Sequence, residues 1–165
     1  MKGTNEHIVN TIKKKDFNYE WISNGYYIDK HEISEKLSLD DQNRIPKNKF
    51  LVGYVGAIGN ANAMEYIVEA FNKMSDTEDC VLCIVGRGDK KSSLMELSKR
   101  NNIVFFDHIP KAQVQAFLKE MDVLYVGSKK SSLYKFGISA NKIFDYMFAG
   151  KPILMSGIKE NNPVA

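Results

Sequence analysis

The stretch YKFGISANKIFDYMFAGKP, Tyr134 to Pro152, runs into Ile153-Leu154-Met155 and carries the helix-to-strand step that decides the fold. A glycine turn, Phe136-Gly137, leads into an amphipathic helix whose expected buried face holds Ile143, Phe144 and Met147. Gly150-Lys151-Pro152 then stops the helix, and an apolar strand follows at once. Such a helix, closed by glycine and proline and emptying into a strand, is one unit of an α/β sheet. Its first turn also has chemistry. Backbone N–H groups left free at a helix start favour phosphate, which makes Gly137, Ile138, Ser139 and the Lys142 ammonium a candidate diphosphate site. Asp145 shares a helix face with Lys142. The two are read either as a surface ion pair or as a functional pair in which the carboxylate suits a ribose diol.

Working outward, strand and helix signals alternate from Phe50 onward. Leu51 to Val55 is a buried-type strand ending in Gly56, and Met64, Ile67, Val68, Phe71 and Met74 follow at helical spacing. Cys80 to Val85 is the next strand, ending in Gly86; Asp89 is placed to cap a helix that turns Leu94 and Leu97 inward. Ile103 to Phe106 is a short strand, and Val114, Phe117, Leu118 and Met121 mark a helix. Val123 to Val126 and Pro152 to Met155 complete the strands. This alternation predicts an α/β, doubly wound parallel sheet, Rossmann-like, with ligands bound beyond the carboxyl ends of the strands. Gly56 to Gly59, Gly86 to Asp89, His108 to Pro110 and Gly127 to Ser139 all fall there.

Residues 1–48 read differently. They are polar, with a helix expected over Glu6 to Lys14, an extended piece over Tyr19 to Ile22, a turn at Ser23-Asn24-Gly25, and loop or short helix from Lys30 to Lys49. We divide the chain into a partial N-terminal connector, 1–48, and a binding domain, 49–165. No closing helix is read after the last strand, so the domain is expected to be cut at its C-terminal end.

Composition narrows the function classes. The 165 residues, 44% of them hydrophobic, make one well-packed domain, and the net charge of +3 is mild. Lys13-Lys14-Lys15 is read as a solvated helix face, and no basic stripe interleaved with aromatics argues for nucleic acid. No apolar run approaches the ~20 residues that span a bilayer, and the polar start shows no signal peptide, so a cytoplasmic location is expected. Cys80 and Cys83 form a CxxC inside an apolar run, where neither a redox motif nor a zinc site is built, and they read as reduced core cysteines.

The order of motifs resembles the C-terminal, nucleotide-sugar-binding domain of family-4 retaining glycosyltransferases, one half of a GT-B fold. Ser23-Asn24-Gly25 with Asp29 resembles the element preceding that domain. Val52 to Gly56 resembles its first strand and glycine turn, Val85 to Asp89 its VGxG loop, and His108-Ile109-Pro110 its base-binding turn. The Tyr134–Pro152 stretch resembles the segment that carries an acidic pair. Within that segment, GxSxNKxFDYMxxGKP is similar to a fucosamine-transferase-type subgroup that builds O-antigen and capsule sugars.

The departures are specific. The ribose-binding acid, usually glutamate, is Asp145; the sugar-contacting acid falls on Gly137; the usual diphosphate cations fall on Ala57 and Asn62. Lys142 is then the natural replacement cation. Gly56 and Gly59 either let backbone approach the diphosphate or form an ordinary tight turn, and the segment is no GxGxxG. Arg87 lies either beside the nucleotide or in solvent. His108 is read as a turn residue rather than a base, with Ile109 offering backbone groups to the uracil edge. Lys129-Lys130 borders the phosphate or is solvated, and Tyr134 with Phe136 is a stacking pair or core. The resemblance implies a hexosyltransferase-type enzyme using a UDP-sugar donor, with no metal ion or other cofactor. Its partners would be that donor, an acceptor-binding N-terminal domain missing from this chain, and a lipid-linked saccharide acceptor at the inner face of the plasma membrane. A chain holding only the donor half is expected to bind donor weakly and transfer nothing. Loss of the usual Arg, Lys and Glu leaves open a non-catalytic interaction or regulatory domain of the same fold.

Overall fold

The computed structural model describes residues 35–74, 79–129 and 140–156. The expectations for residues 1–34, including Asp29, and those for Lys130, Tyr134, Phe136, Gly137, Ile138, Ser139 and the last loop, lie outside the described residues. Within them, the chain runs α1 (Leu39–Arg44), β1 (Phe50–Val55), a single 3-10 turn (Asn60–Asn62), α2 (Met64–Lys73), β2 (Cys80–Val85), α3 (Lys91–Leu97), β3 (Ile103–Phe106), α4 (Lys111–Glu120), β4 (Val123–Gly127), α5 (Asn141–Ala149) and β5 (Ile153–Ser156). The strands form one sheet in the order β3-β2-β1-β4-β5. Every pairing is parallel, from Phe50↔Cys80 between β1 and β2 to Gly127↔Ser156 between β4 and β5. This is the doubly wound architecture expected from the sequence.

Near-continuous apolar strands follow from burial on both faces. On one face Leu51, Val81, Cys83 and Val85 meet Val114, Phe117 and Leu118 of α4 and Ile143 and Tyr146 of α5. On the other, Val52, Tyr54, Leu82 and Ile84 meet Met64, Ile67, Val68 and Phe71 of α2 and Leu94 of α3. Residues 35–48 add to the first face through the buried Leu37 and Ile45. There α1 is started by Ser38, whose hydroxyl accepts from the Asp41 N–H at 3.1 Å. Cys83 is buried and Cys80 half-buried, both unbridged, and burial pushes the Cys83 thiol up to about 12.

Three local expectations are corrected. Asp89 does not cap α3: Lys90 holds that position, with no side-chain cap, and donates its N–H to Ile58 O at 3.1 Å. The loop is pinned to the β1–α2 turn, which delays the helix by a residue. Met147 does not face the core. It is 55% exposed, Phe144 is half-buried, and the inward positions of α5 are Ile143 and Tyr146. The Tyr146 hydroxyl meets the Val55 backbone, and this contact sets the rotation of the helix. Finally, α5 starts at Asn141 with Ala140 as its N-cap, not at the glycine turn.

The loops after β1 and β2 are bonded to each other. Gly56 N donates to Val85 O at 3.1 Å and Ile58 N to Arg87 O at 2.9 Å. Gly86 sits at φ 150°, and a Cβ there would overlap the Gly56 carbonyl, so the approach of the two turns requires glycine. Gly86→Ala should therefore cost about 2–4 kcal/mol through strain and overpacking. Chemical denaturation should read this as a lower midpoint with an unchanged slope.

Candidate functional site

The carboxyl ends of β1, β2 and β3 open into a cleft of about 680 Å³ lined by Val55, Gly56, Ala57, Val85, Gly86, Arg87, Gly88, His108, Ile109, Lys111 and Val114. A second cavity of about 420 Å³ shares Val55, Gly56, Lys111 and Val114 with it and adds Asn141, Lys142, Asp145 and Tyr146. The two make one groove. At one end lie the predicted base-binding residues Arg87 and His108, both exposed, and the buried Ile109. At the other lie Lys142 and Asp145. Gly56 joins them, and Gly59 sits farther along the same turn, beside Asp89.

Lys142 and Asp145 share a helix but not each other. The Lys142 ammonium donates to the Tyr54 hydroxyl and to Asn62 Oδ1, each at 2.7 Å, and lies 4.2 Å from the centre of the Tyr54 ring. The reading of these two residues as a surface ion pair is thus overturned. Among the described residues no carboxylate pairs with Lys142; the ion pairs are Lys49–Asp79, Lys91–Asp107, Lys111–Asp145 and Lys129–Glu65. Burial pushes the ammonium down from 10.5 to about 8. A Cβ added at Gly56 would lie 3.0 Å from Lys142 Nζ. Glycine at that position keeps the ammonium against the turn.

Two partners of Lys142 in this cradle, Tyr54 and Asn62, were not foreseen from the sequence. Tyr54 is fully buried at the end of β1, where its hydroxyl donates to Ala57 O at 2.6 Å while accepting from Lys142. Burial drives that phenol's pKa upward. The available signal was a tyrosine in an otherwise apolar strand, since a buried phenol needs a polar partner. Asn62 donates through Nδ2 to Ala57 O at 2.9 Å and offers Oδ1 to Lys142. The side chain at position 62 thus accepts from an ammonium supplied by α5. Lys129 is paired with Glu65 at 2.8 Å.

Asp145 is held by α4. Its carboxylate pairs with Lys111, and its main-chain carbonyl accepts from Gln115 Nε2 at 3.0 Å. Tyr146 occupies the next position, and its hydroxyl accepts from Val55 N at 2.9 Å. Val55 lies beyond the last β1–β4 pair, Gly53↔Leu124, so the phenol satisfies backbone that has no strand neighbour there.

A family model for glycosyl transferases group 1 matches residues 49–164. The chain belongs to this family. An uncharacterized glycosyltransferase of Methanocaldococcus jannaschii is 25% identical over 75% of this chain and 31% of its own length. A protein named for colanic acid biosynthesis, the glycosyl transferase WcaI of Escherichia coli K12, is 30% identical over 58% of this chain and 24% of its own. The chain thus spans about a third or less of these glycosyltransferases. Among solved structures, HepE of Anabaena, crystallised in complex with UDP and glucose, superposes with a TM-score of 0.54 at 17% identity, over 72% of this chain and 34% of that one. At that identity the likeness is one of fold.

Lys142 gives a direct test of the site's electrostatics. Its pKa is lower folded than unfolded, so its stability contribution is fully present above 10.5 and is lost as pH falls through about 8. The stability of wild type relative to Lys142→Met should rise between those values, by on the order of 2 kcal/mol. Paired thermal melts across the window measure it; a flat difference contradicts a buried, desolvated ammonium.

Proposed function

We propose that this chain is the donor-binding domain of a retaining, hexosyltransferase-type glycosyltransferase, and that the groove takes a nucleoside diphosphate sugar, with UDP as the nucleotide. The observation that carries this reading is Lys142. It is a desolvated ammonium held by a hydroxyl and an amide oxygen, unpaired with any described carboxylate, in the wall of the groove beside Gly56. Such a cation keeps an uncompensated charge and one of its three N–H donors for an anion.

In this reading the uracil lies toward Ile109, His108 and Arg87, the ribose toward Asp145, and the diphosphate between Gly56 and Lys142. When the bond from the sugar to the β-phosphate oxygen breaks, its electron pair stays on that oxygen. The ammonium, fixed beforehand, stabilises the charge that develops. Lys142 thus takes the part of the arginine and lysine absent from Ala57 and Asn62, and the assignment calls for no metal ion or other cofactor. Gly137, Ile138 and Ser139 are assigned the remaining backbone donors to the diphosphate. An acceptor-binding domain of the whole protein would bring the acceptor. We assign that acceptor to the lipid-linked saccharides of surface polysaccharide synthesis, at the cytoplasmic face of the membrane. The fucosamine-transferase-type motif and the relative named for colanic acid biosynthesis support that class. No described helix is long and apolar enough to cross a membrane.

UDP titrated into the chain should bind and raise its melting temperature. Lys142→Ala should weaken binding by about 1.5–3 kcal/mol and Asp145→Ala by roughly 1 kcal/mol or more. Because the bound diphosphate needs the ammonium, affinity should hold up to a pH of about 8 and then fall, by about tenfold per pH unit, a dependence absent from Lys142→Ala. No UDP-dependent change in melting temperature would sink the donor-site reading and favour a non-catalytic domain.

A further inference from the structure

The donor-site reading leaves Lys111 and Gln115 without a part. Lys111 opens α4 directly after the His108-Ile109-Pro110 turn, and it lines both cavities of the groove. Its ammonium pairs with Asp145 Oδ1. The pair is asymmetric: the lysine side chain is 69% exposed, the carboxylate 14%. Gln115, one turn farther along α4 and buried, donates through Nε2 to the Asp145 carbonyl at 3.0 Å. One helix therefore grips one residue twice, at its side chain and at its main chain. Among the described residues the Asp145 carboxylate is held through Oδ1, and Asp145 lines the 420 Å³ cavity.

An ion pair whose lysine stays 69% exposed is screened by solvent on that side and contributes little to stability. A carboxylate that must accept from a sugar hydroxyl has a different need, because a hydrogen bond of that kind is lost if the acceptor rotates away. We propose that Lys111 is the positioning residue for ribose recognition: it fixes the Asp145 carboxylate through Oδ1 so that Oδ2 can accept from the ribose diol. The base-binding turn and the ribose carboxylate are then set by the same element, since the turn ends where α4 and Lys111 begin. The inference rests on the assignment of Asp145 to the ribose. It adds that preference for a ribonucleotide over a deoxyribonucleotide depends on a residue that need not touch the ligand.

The experiment compares UDP, 2′-deoxy-UDP and uridine by calorimetric titration into the wild-type chain, Lys111→Met and Lys111→Arg, with melting temperatures recorded for each. Wild type should prefer UDP over 2′-deoxy-UDP by about tenfold, the worth of a hydrogen bond to a charged acceptor. Lys111→Met should bring that ratio close to one while keeping the ratio of UDP to uridine. Lys111→Arg, which can still hold the carboxylate, should retain the wild-type preference. A methionine variant with an unchanged preference for ribose overturns the proposal. So does one that loses the UDP-to-uridine ratio instead, which would make Lys111 a phosphate cation. If wild type binds UDP but does not distinguish the deoxy form, the Asp145 assignment fails and the inference with it. If wild type binds no UDP, the donor site itself is refuted.

Discussion

A parallel sheet that grows first to one side of its central strand and then to the other must leave a crevice where the direction changes. Here that strand is β1, with β2 and β3 on one side and β4 and β5 on the other. The connections after β1 and β4 leave in opposite directions, and the backbone between them cannot pair. Much of the site follows from this constraint. The β1–β4 ladder runs through Val52↔Val123 and Gly53↔Leu124. Beyond it the gap is occupied by side chains of α5 and of β1 itself: Tyr146 against Val55, and Lys142 against Tyr54. The groove is thus a product of strand order, and the chemistry in it comes from what one helix brings to the end of one strand.

The fold was legible because its signal is period and order. Apolar runs of strand length alternated with helical spacing from Phe50 onward, and burial on both faces left little ambiguity in where each strand lay. Errors arose where a tertiary contact overrode local pattern. Asp89 is a good cap by type, yet the bond between Lys90 N and Ile58 O sets the start of α3. Met147 fits the helical spacing as well as Tyr146 does, yet a hydroxyl that can reach two unpaired backbone groups of Val55 wins the inward position.

The candidate site was legible in part for a related reason. Residue type and spacing singled out Lys142 and Asp145, and both line the groove. Their partners were not readable, because each lies on a different element: Tyr54 is 88 residues from Lys142, and Lys111 is 34 from Asp145. Local spacing left a pairing of the two along the helix as one of two readings. Non-local partners claimed them instead, one from the strand and turn beneath α5, the other from the helix beside it. The absence of a cation at position 62 was visible in the sequence, but not that Asn62 would accept from one supplied elsewhere.

The Tyr146 hydroxyl does more than fill a vacant backbone position. It fastens the helix that carries Lys142 and Asp145 to the last residue of the central strand. The spacing between Lys142, Asp145 and the Gly56 turn is therefore largely settled before any ligand arrives. A ligand entering this groove has little freedom of the α5 scaffold left to quench, and binding there should draw on preorganisation rather than on rearrangement. Tightening that phenol contact or loosening it would act on affinity through conformational entropy, at a residue whose hydroxyl faces backbone instead of substrate.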